Sequence, residues 1–168
     1  MSTLRVDTIL GESGAERRGL MTYAIICDQK AQNTSGGTAS SGAWQTRHLN
    51  TKIADPDNIV SIANNQFTLQ AGSYLIEASA PAYDVTGHQT RLYNATTSTE
   101  VQAGTSSYAN SGGNVFNFSS VAARVVLTGA TAFEIQHRVN SNKPSTGFGV
   151  ALNLNVEIYT TVKIFKEA

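Results

Sequence analysis

Residues 65–80 constrain the fold of this chain more than any other stretch. Two short runs of strand-forming residues lie there, separated by Ala71-Gly72. In the first run Phe67 and Leu69 alternate with polar neighbours, and the second run, which begins at Tyr74, is rich in aromatic and β-branched side chains. The pattern is typical of the middle of a β-sandwich. It contains no group in an obvious catalytic pose.

The same two-residue period recurs along the chain, and no window shows an apolar period of 3.6 residues. We therefore predict an all-β protein, an antiparallel β-sandwich or jelly roll, with little or no helix. In residues 115–127 the apolar parity changes, which predicts a bulge or bend near Ser119-Ser120. The other predicted strands are Leu20–Asp28, Trp44–Leu49, His88–Tyr93, Phe133–Val139 and a long closing strand over residues 152–165.

Composition excludes several classes of function. The 168 residues fit one domain, and a formal net charge of +0 gives no electrostatic footprint for nucleic acid. No apolar run is long enough for membrane insertion, and the first residues do not resemble a signal peptide, so we expect synthesis in a cytoplasm. The single cysteine, Cys27, excludes an internal disulfide and is predicted to be a buried small hydrophobe.

The first nineteen residues differ in character from the rest. Residues 2–9 alternate weakly, as in a short strand or extended arm, and the predicted attachment residues of this arm are Leu4, Val6 and Ile9. Residues 11–19 are rich in glycine and charge and have almost no apolar anchor, which is typical of a linker. We predict an attachment arm and linker over residues 1–19 and a folded head domain over residues 20–168.

No enzyme, metal site or cofactor is predicted. Glycosidase chemistry needs two facing carboxylates, and the sequence does not place Glu77 and Glu134 at a productive separation. The carboxylates of the turn 54–58 lack the spaced ligand series of a calcium loop. Three histidines far apart in the sequence are each expected to be packed or interface residues: His48, His88 and His137.

Four aromatic residues lie at or near predicted loop boundaries, where a ring either stacks on a sugar or caps the core. These candidate ligand contacts are Trp44, Tyr83, Tyr93 and Tyr108.

Several segments between Leu20 and Lys166 together resemble the complement-globular-head (C1q) and tumour-necrosis-factor (TNF) jelly roll. They are an aromatic-x-apolar strand at residues 67–69, Ala71–Ile76, His88–Tyr93, Val125–Ala130 leading into Phe133, and a closing strand that ends Ile164-Phe165. Residues 65–94 are similar to the heads of tailed-phage fibre proteins. Met1–Ile9 is similar to the opening of virion structural proteins from phages of aquatic bacteria. The resemblance implies a homotrimer.

The closing strand suggests where such a trimer forms. One parity carries six aliphatic residues, which are predicted to face the sandwich interior: Leu152, Leu154, Val156, Ile158, Val162 and Ile164. The other parity carries Tyr159 and Phe165, which an isolated subunit is expected to leave in water. In the resembling family this outer face meets neighbouring subunits, so the predicted trimer interface is Tyr159, Phe165, Asn153, Asn155 and Thr161.

Two functions remain open at this point, both in a virion and both non-enzymatic. In the first, the chain is a fibre head whose exposed loops bind a host-surface glycan. In the second, it is a capsid decoration protein whose arm, residues 2–9, grips the head shell. Either function makes other virion proteins partners of the arm. A free trimeric lectin is a third alternative.

Overall fold

The computed structural model describes residues 22–167, and this part of the chain consists of eleven β-strands joined by turns and loops. The predicted arm with Leu4, Val6 and Ile9 lies outside the described residues. The strands are β1 (Thr22–Lys30), β2 (Gln45–Thr46), β3 (Thr51–Ala54), β4 (Val60–Ala63), β5 (Gln66–Leu69), β6 (Gly72–Tyr83), β7 (Thr86–Asn94), β8 (Thr99–Ala109), β9 (Phe116–Leu127), β10 (Thr131–Val139) and β11 (Glu157–Lys166).

The strands form two antiparallel sheets, which confirms the predicted sandwich. A five-stranded sheet has the order β3-β1-β11-β6-β9, and a six-stranded sheet has the order β4-β5-β10-β7-β8 with β2 added against β10. Strands β5 and β6 follow each other directly but belong to different sheets, so the turn at Ala71-Gly72 carries the chain across the sandwich. Within residues 22–167 no helix is long and apolar enough to cross a bilayer.

The core lies between the sheets and follows the alternation seen in the sequence. Phe67 on β5 and Phe133 on β10 stack with their ring centroids 5.6 Å apart. From the opposite sheet Tyr74, Ile76 and Val162 are each at most 1 % exposed. Burying side chains of this size contributes roughly 1.5–3 kcal/mol each, so the facing rows hold the layers together.

The closing strand is shorter than predicted, because β11 begins only at Glu157. Val162 and Ile164 are buried as expected. The other four aliphatic residues of the predicted interior row are instead 45–83 % exposed: Leu152, Leu154, Val156 and Ile158. The prediction that they line the interior is therefore wrong.

Glu157 explains why residues 150–156 leave the sheet. Its carboxylate accepts the backbone N–H of Asn153 at 2.8 Å and those of Leu152 and Asn33 at 3.3 Å each. These bonds, that from Asn153 foremost, hold the pKa of Glu157 below its usual value despite its burial. A side chain that satisfies three backbone donors stabilises a loop where alternation alone predicted a strand.

Of the bulge or bend predicted in residues 115–127, the bulge is absent from the pairing of β9 with β6. Strand β9 pairs with β6 without a register shift from Phe116 to Leu127. The parity change has another cause: Val121 and Val125 face the core, whereas Phe116 and Phe118 face outward and are 39 % and 48 % exposed. These two phenylalanine rings leave apolar surface on the outside of the sheet that is available for contact with another molecule.

Gly149 offers a test of how the loop beside β11 packs. Its φ is 140°, and a Cβ at this position would overlap the ring of Tyr159. The backbone strain of a non-glycine residue costs roughly 1–3 kcal/mol. Overpacking against the ring adds typically about 1–3 kcal/mol. We expect both terms to lower the free energy of unfolding of Gly149→Ala, measured by urea denaturation.

Gly112→Ala is the matched control, because Gly112 also has a positive φ, 80°, but has open space around it. In this variant only the backbone strain should lower the free energy of unfolding. Equal losses in the two variants would contradict the packing of Tyr159 against Gly149.

Candidate functional site

The five-strand face is the outward surface of the five-stranded sheet, and it carries apolar side chains at both ends. At one end Tyr23, Phe165 and Leu75 are cross-strand neighbours on β1, β11 and β6. At the other end Phe116 and Phe118 pack edge to face with their centroids 5.2 Å apart. Exposed apolar surface of this kind marks contact sites in soluble proteins.

A groove of about 450 Å³ crosses the middle of the five-strand face. Glu77 and Lys163 lie opposite each other on β6 and β11 and both line it. Ser79, Ser120 and Thr161 form the next cross-strand row. The face is thus apolar at its ends and polar, with one charge of each sign, in its middle.

The predicted interface residues are only partly on this face. Phe165 is half-buried beside Leu75, and Thr161 lines the groove. Asn153 and Asn155 lie instead in the loop before β11.

The prediction for Tyr159 is corrected. Tyr159 is 4 % exposed within the single subunit, and its hydroxyl donates to the carbonyl oxygen of Thr34 at 2.9 Å. The ring also packs against Gly149. Because the chain's own loops cover this ring, a single subunit does not leave it in water.

The six-strand face, the outward surface of the other sheet, contains an aromatic and arginine platform formed by Trp44, Arg91 and Tyr93. The Arg91 guanidinium carbon lies 4.3 Å from the centroid of the Trp44 ring and 4.7 Å from that of the Tyr93 ring. Arg91 also donates from Nε and Nη2 to Gln136 at 2.9 and 2.6 Å and pairs with Glu100 at 3.2 Å. These contacts fix the orientation of both rings and of the cation between them.

Polar side chains extend the platform along β10. The carboxylate of Glu134 accepts hydrogen bonds of 2.7–2.8 Å from Gln136, Gln66 and Thr46. Partial burial raises the pKa of Glu134, but the three hydrogen bonds outweigh it, and the net pKa lies below the usual value. Glu134 is therefore ionised at neutral pH, and hydrogen bonds to its neighbours hold its carboxylate in place on this surface.

The other predicted ligand contacts lie apart from the platform. Tyr83 donates to Asn114 at 2.6 Å, and the Lys143 ammonium lies 5.2 Å from its ring centroid. Tyr108 is 58 % exposed on β8, the edge strand of its sheet. Of the four aromatics, the fold brings only Trp44 and Tyr93 together.

Glu77 and Glu134 do not form a catalytic pair. Glu77 alternates with the buried Ile76 and Ala78 of β6, whereas Glu134 alternates with the buried Phe133 and Ile135 of β10. Each carboxylate points away from the core, and their strands belong to different sheets. The two groups lie on opposite surfaces of the sandwich.

The largest polar group in the core is Arg47, which the sequence analysis missed. Its side chain is 1 % exposed, and it donates to the Thr160 hydroxyl at 2.9 Å and to the carbonyl oxygens of Pro81 and Phe148 at 3.0 and 2.9 Å. The guanidinium carbon also lies 4.1 Å from the centroid of the Phe148 ring. Burial lowers the pKa of Arg47 to about 9, partly opposed by Asp28, so it is charged at neutral pH.

Arg47 determines which ring nitrogen carries the proton in two buried histidines. Its Nη1 lies 3.4 Å from His137 Nδ1, and His137 Nε2 lies 2.9 Å from His88 Nδ1. Arginine only donates, so His137 Nδ1 is the acceptor and its Nε2–H donates to His88 Nδ1. The proton of neutral His88 is then on Nε2, which has no hydrogen-bond partner among the described residues. The expectation that these two histidines are packed residues is confirmed, whereas His48 is exposed.

The fold is similar to those of several solved structures at low sequence identity. Murine APRIL at pH 5.0 has a TM-score of 0.56 and 10% identity, with 87% of this chain and 98% of that chain covered. The Eiger TNF of S. frugiperda has a TM-score of 0.55 and 14% identity, covering 89% and 94%. The globular domain of zebrafish complement 1qA has a TM-score of 0.49 and 14% identity, covering 86% and 95%.

This chain has a TNF-like jelly-roll fold. No protein-family model matches the sequence, and no curated protein is significantly similar to it. At these identities the likeness shows the jelly roll alone. What the chain binds must be argued from its own surfaces.

The histidine pair in the jelly-roll core predicts a dependence of stability on pH. Burial, followed by the charge of Arg47, lowers the pKa of His88 to about 4, and the same causes together with His88 lower that of His137 well below its usual value. Unfolded histidines take up protons near pH 6.5, so this stability is complete above that pH and is lost as pH falls. For His88 we expect a loss of roughly 2 kcal/mol by pH 5.

The measurement is urea denaturation between pH 7.5 and 5. His88→Gln keeps an acceptor for His137 and removes one titrating group, so its pH slope should be smaller than that of the parent protein. His48→Gln, at the exposed histidine, should keep the parent slope. An unchanged slope in His88→Gln would show that the buried pair does not resist protonation.

Proposed function

We propose that this chain is a non-enzymatic structural protein of a bacteriophage virion. It forms a homotrimeric jelly-roll head that presents its six-strand face to host-surface glycans. The observation that carries the binding function is the clamping of Arg91 between Trp44 and Tyr93. The N-terminal arm joins this head to other virion proteins.

The platform suits a sugar for two reasons. Indole and phenol rings offer an apolar surface together with a polar edge, and the apolar face of a pyranose packs on such rings. Gln136 and Glu134 are held within one hydrogen-bonded network beside them, so little side-chain entropy remains to be lost on binding. Separation of the two candidate catalytic carboxylates supports binding rather than hydrolysis.

The five-strand face supports self-association. It combines exposed Leu75, Phe118 and Val126 with a groove that contains Glu77 and Lys163. A second copy of the chain supplies apolar surface for the three apolar side chains. Its own Lys163 and Glu77 supply the opposite charges for Glu77 and Lys163. Burial of this face leaves the six-strand face on the outside of the assembly, where a glycan can reach it.

The virion assignment is supported by the resemblance of Met1–Ile9 and residues 65–94 to phage structural proteins. One observation favours capsid decoration over the fibre head: three aliphatic residues of the loop before β11 are exposed, and such surface suits contact with protein. They are Leu152, Leu154 and Val156. Labelled-antibody imaging of intact particles separates the two, since a fibre head gives signal at the tail and decoration gives signal on the head shell.

For self-association we expect Phe116→Ser combined with Phe118→Ser to weaken assembly. Both rings are exposed in the subunit, so the change should leave subunit folding nearly intact. Analytical ultracentrifugation across a dilution series should show dissociation at tenfold or higher concentration than for the parent protein. Leu154→Ser, at a residue that is 83 % exposed in the loop, is the control. A double variant as stable in assembly as this control would place the interface elsewhere.

For glycan binding we expect Trp44→Ala to lose most of the signal of the purified protein on a glycan array. Stacking on an aromatic ring contributes about 0.5–1.5 kcal/mol beyond area burial, and display on a trimer multiplies the loss. Leu154→Ala should bind as the parent protein does. Absence of any array signal from the parent protein, with host cells also unbound, would remove the fibre-head function and leave decoration.

A further inference from the structure

A shallow depression of about 320 Å³ lies on the six-strand face next to the platform. Arg138 on β10 pairs with Gln89 on β7, which pairs with Ser106 on β8. On the other side of β10, Gln45 pairs with His137, so Trp44 continues the register beside Arg138. A single cross-strand row of these four residues therefore runs under the depression, and all four line it.

Arg138 is an exposed cation that has no side-chain partner within residues 22–167. Among the four arginines of residues 22–167, Arg47, Arg91 and Arg124 each make side-chain hydrogen bonds. Arg138 takes part in no hydrogen bond, ion pair or cation–π contact with the described residues. Its five N–H donors are available to a ligand or to water.

Among the residues that the structure describes, the lining of the depression carries no negative charge. Besides Arg138 and Trp44 it consists of uncharged residues: Gly87, His88, Gln89, Ser106, Ser107 and Asn140. His88 is neutral at neutral pH because burial and Arg47 lower its pKa to about 4. The nearest carboxylate along β10, Glu134, is bound by three hydrogen bonds of its own. Arg138 is thus the only charged side chain that residues 22–167 contribute to the lining.

We infer that this depression selects acidic sugars, with the carboxylate of a uronic acid on Arg138 and its pyranose ring against Trp44. The inference rests on the proposed glycan-binding function and adds the class of sugar to it. A guanidinium binds a carboxylate through two parallel charge-assisted hydrogen bonds, and a neutral sugar has no group that makes this pair. Amide and hydroxyl groups of Gln89, Asn140 and Ser106 can bond to the ring hydroxyls.

The fluorescence of Trp44 tests the inference directly, because the chain contains one tryptophan. Glucuronate and glucose are the matched probes, since they differ only at C6, and both are titrated at constant ionic strength. The parent protein should bind glucuronate about tenfold or more tightly than glucose. Added salt should reduce the difference in affinity between glucuronate and glucose, because the site is open to solvent.

Two arginine variants locate the effect. Arg138→Gln should bind glucuronate and glucose equally. Arg124→Gln, which removes an exposed arginine paired with Glu167 on the other sheet, should keep the preference.

Each failure has its own meaning. Equal affinity of the parent protein for the two sugars overturns the selection of acidic sugars and leaves the glycan-binding function in place. A preference that survives Arg138→Gln overturns the assignment to this depression. If neither sugar changes the fluorescence and the glycan array is also silent, the inference and the glycan-binding function fail together, and capsid decoration remains.

Discussion

The guanidinium of Arg47 joins the two layers of this jelly roll. It reaches Thr160 and the Pro81 carbonyl in the five-stranded sheet, His137 in the six-stranded sheet, and the Phe148 carbonyl in a connecting loop. A buried cation is tolerated only when its donors are satisfied, so each of these acceptors must stay in place. These hydrogen bonds therefore fix the two sheets and the connecting loop relative to one another. Apolar packing alone would allow them to shift.

That constraint separates the inside of the sandwich from its two surfaces. The hydrogen bonds of Arg47 lead to Thr160 on one side and through His137 to His88 on the other, and among the described residues they include no side chain of the platform and neither Glu77 nor Lys163. One face is apolar at its ends with a charged groove, and the other is aromatic, amide-rich and cationic. Substitutions on either face can therefore alter association or ligand choice without repacking the core.

The sequence predicted most of the strands because alternation records burial directly. Phe67, Leu69, Phe133 and Ile135 all face the core as expected. Alternation was misleading where a single side chain overrode it, as the Glu157 carboxylate does for residues 150–156. Alternation also could not show whether a loop covers a ring on the outward side of a strand. Tyr159 was therefore assigned to an interface, although the chain's own loop buries it.

The candidate binding surface was less accessible from the sequence. Trp44 and Tyr93 were predicted as ligand contacts one by one, but the cation that brings them together, Arg91, had no pattern that distinguished it. Arg47 and Arg138 read alike in the sequence, as single arginines within strand-like segments. Only the fold shows that Arg47 is buried among hydrogen-bond acceptors, whereas Arg138 is exposed and has no partner in the described part of the chain.

The Glu157 carboxylate gives the loop before β11 an evolutionary freedom that the strands lack. It holds the loop through backbone N–H groups, which every residue except proline provides. The shape of the loop is therefore almost independent of the side chains at Leu152, Leu154 and Val156. Selection can exchange these three residues to suit a new molecular neighbour while the main chain keeps its course.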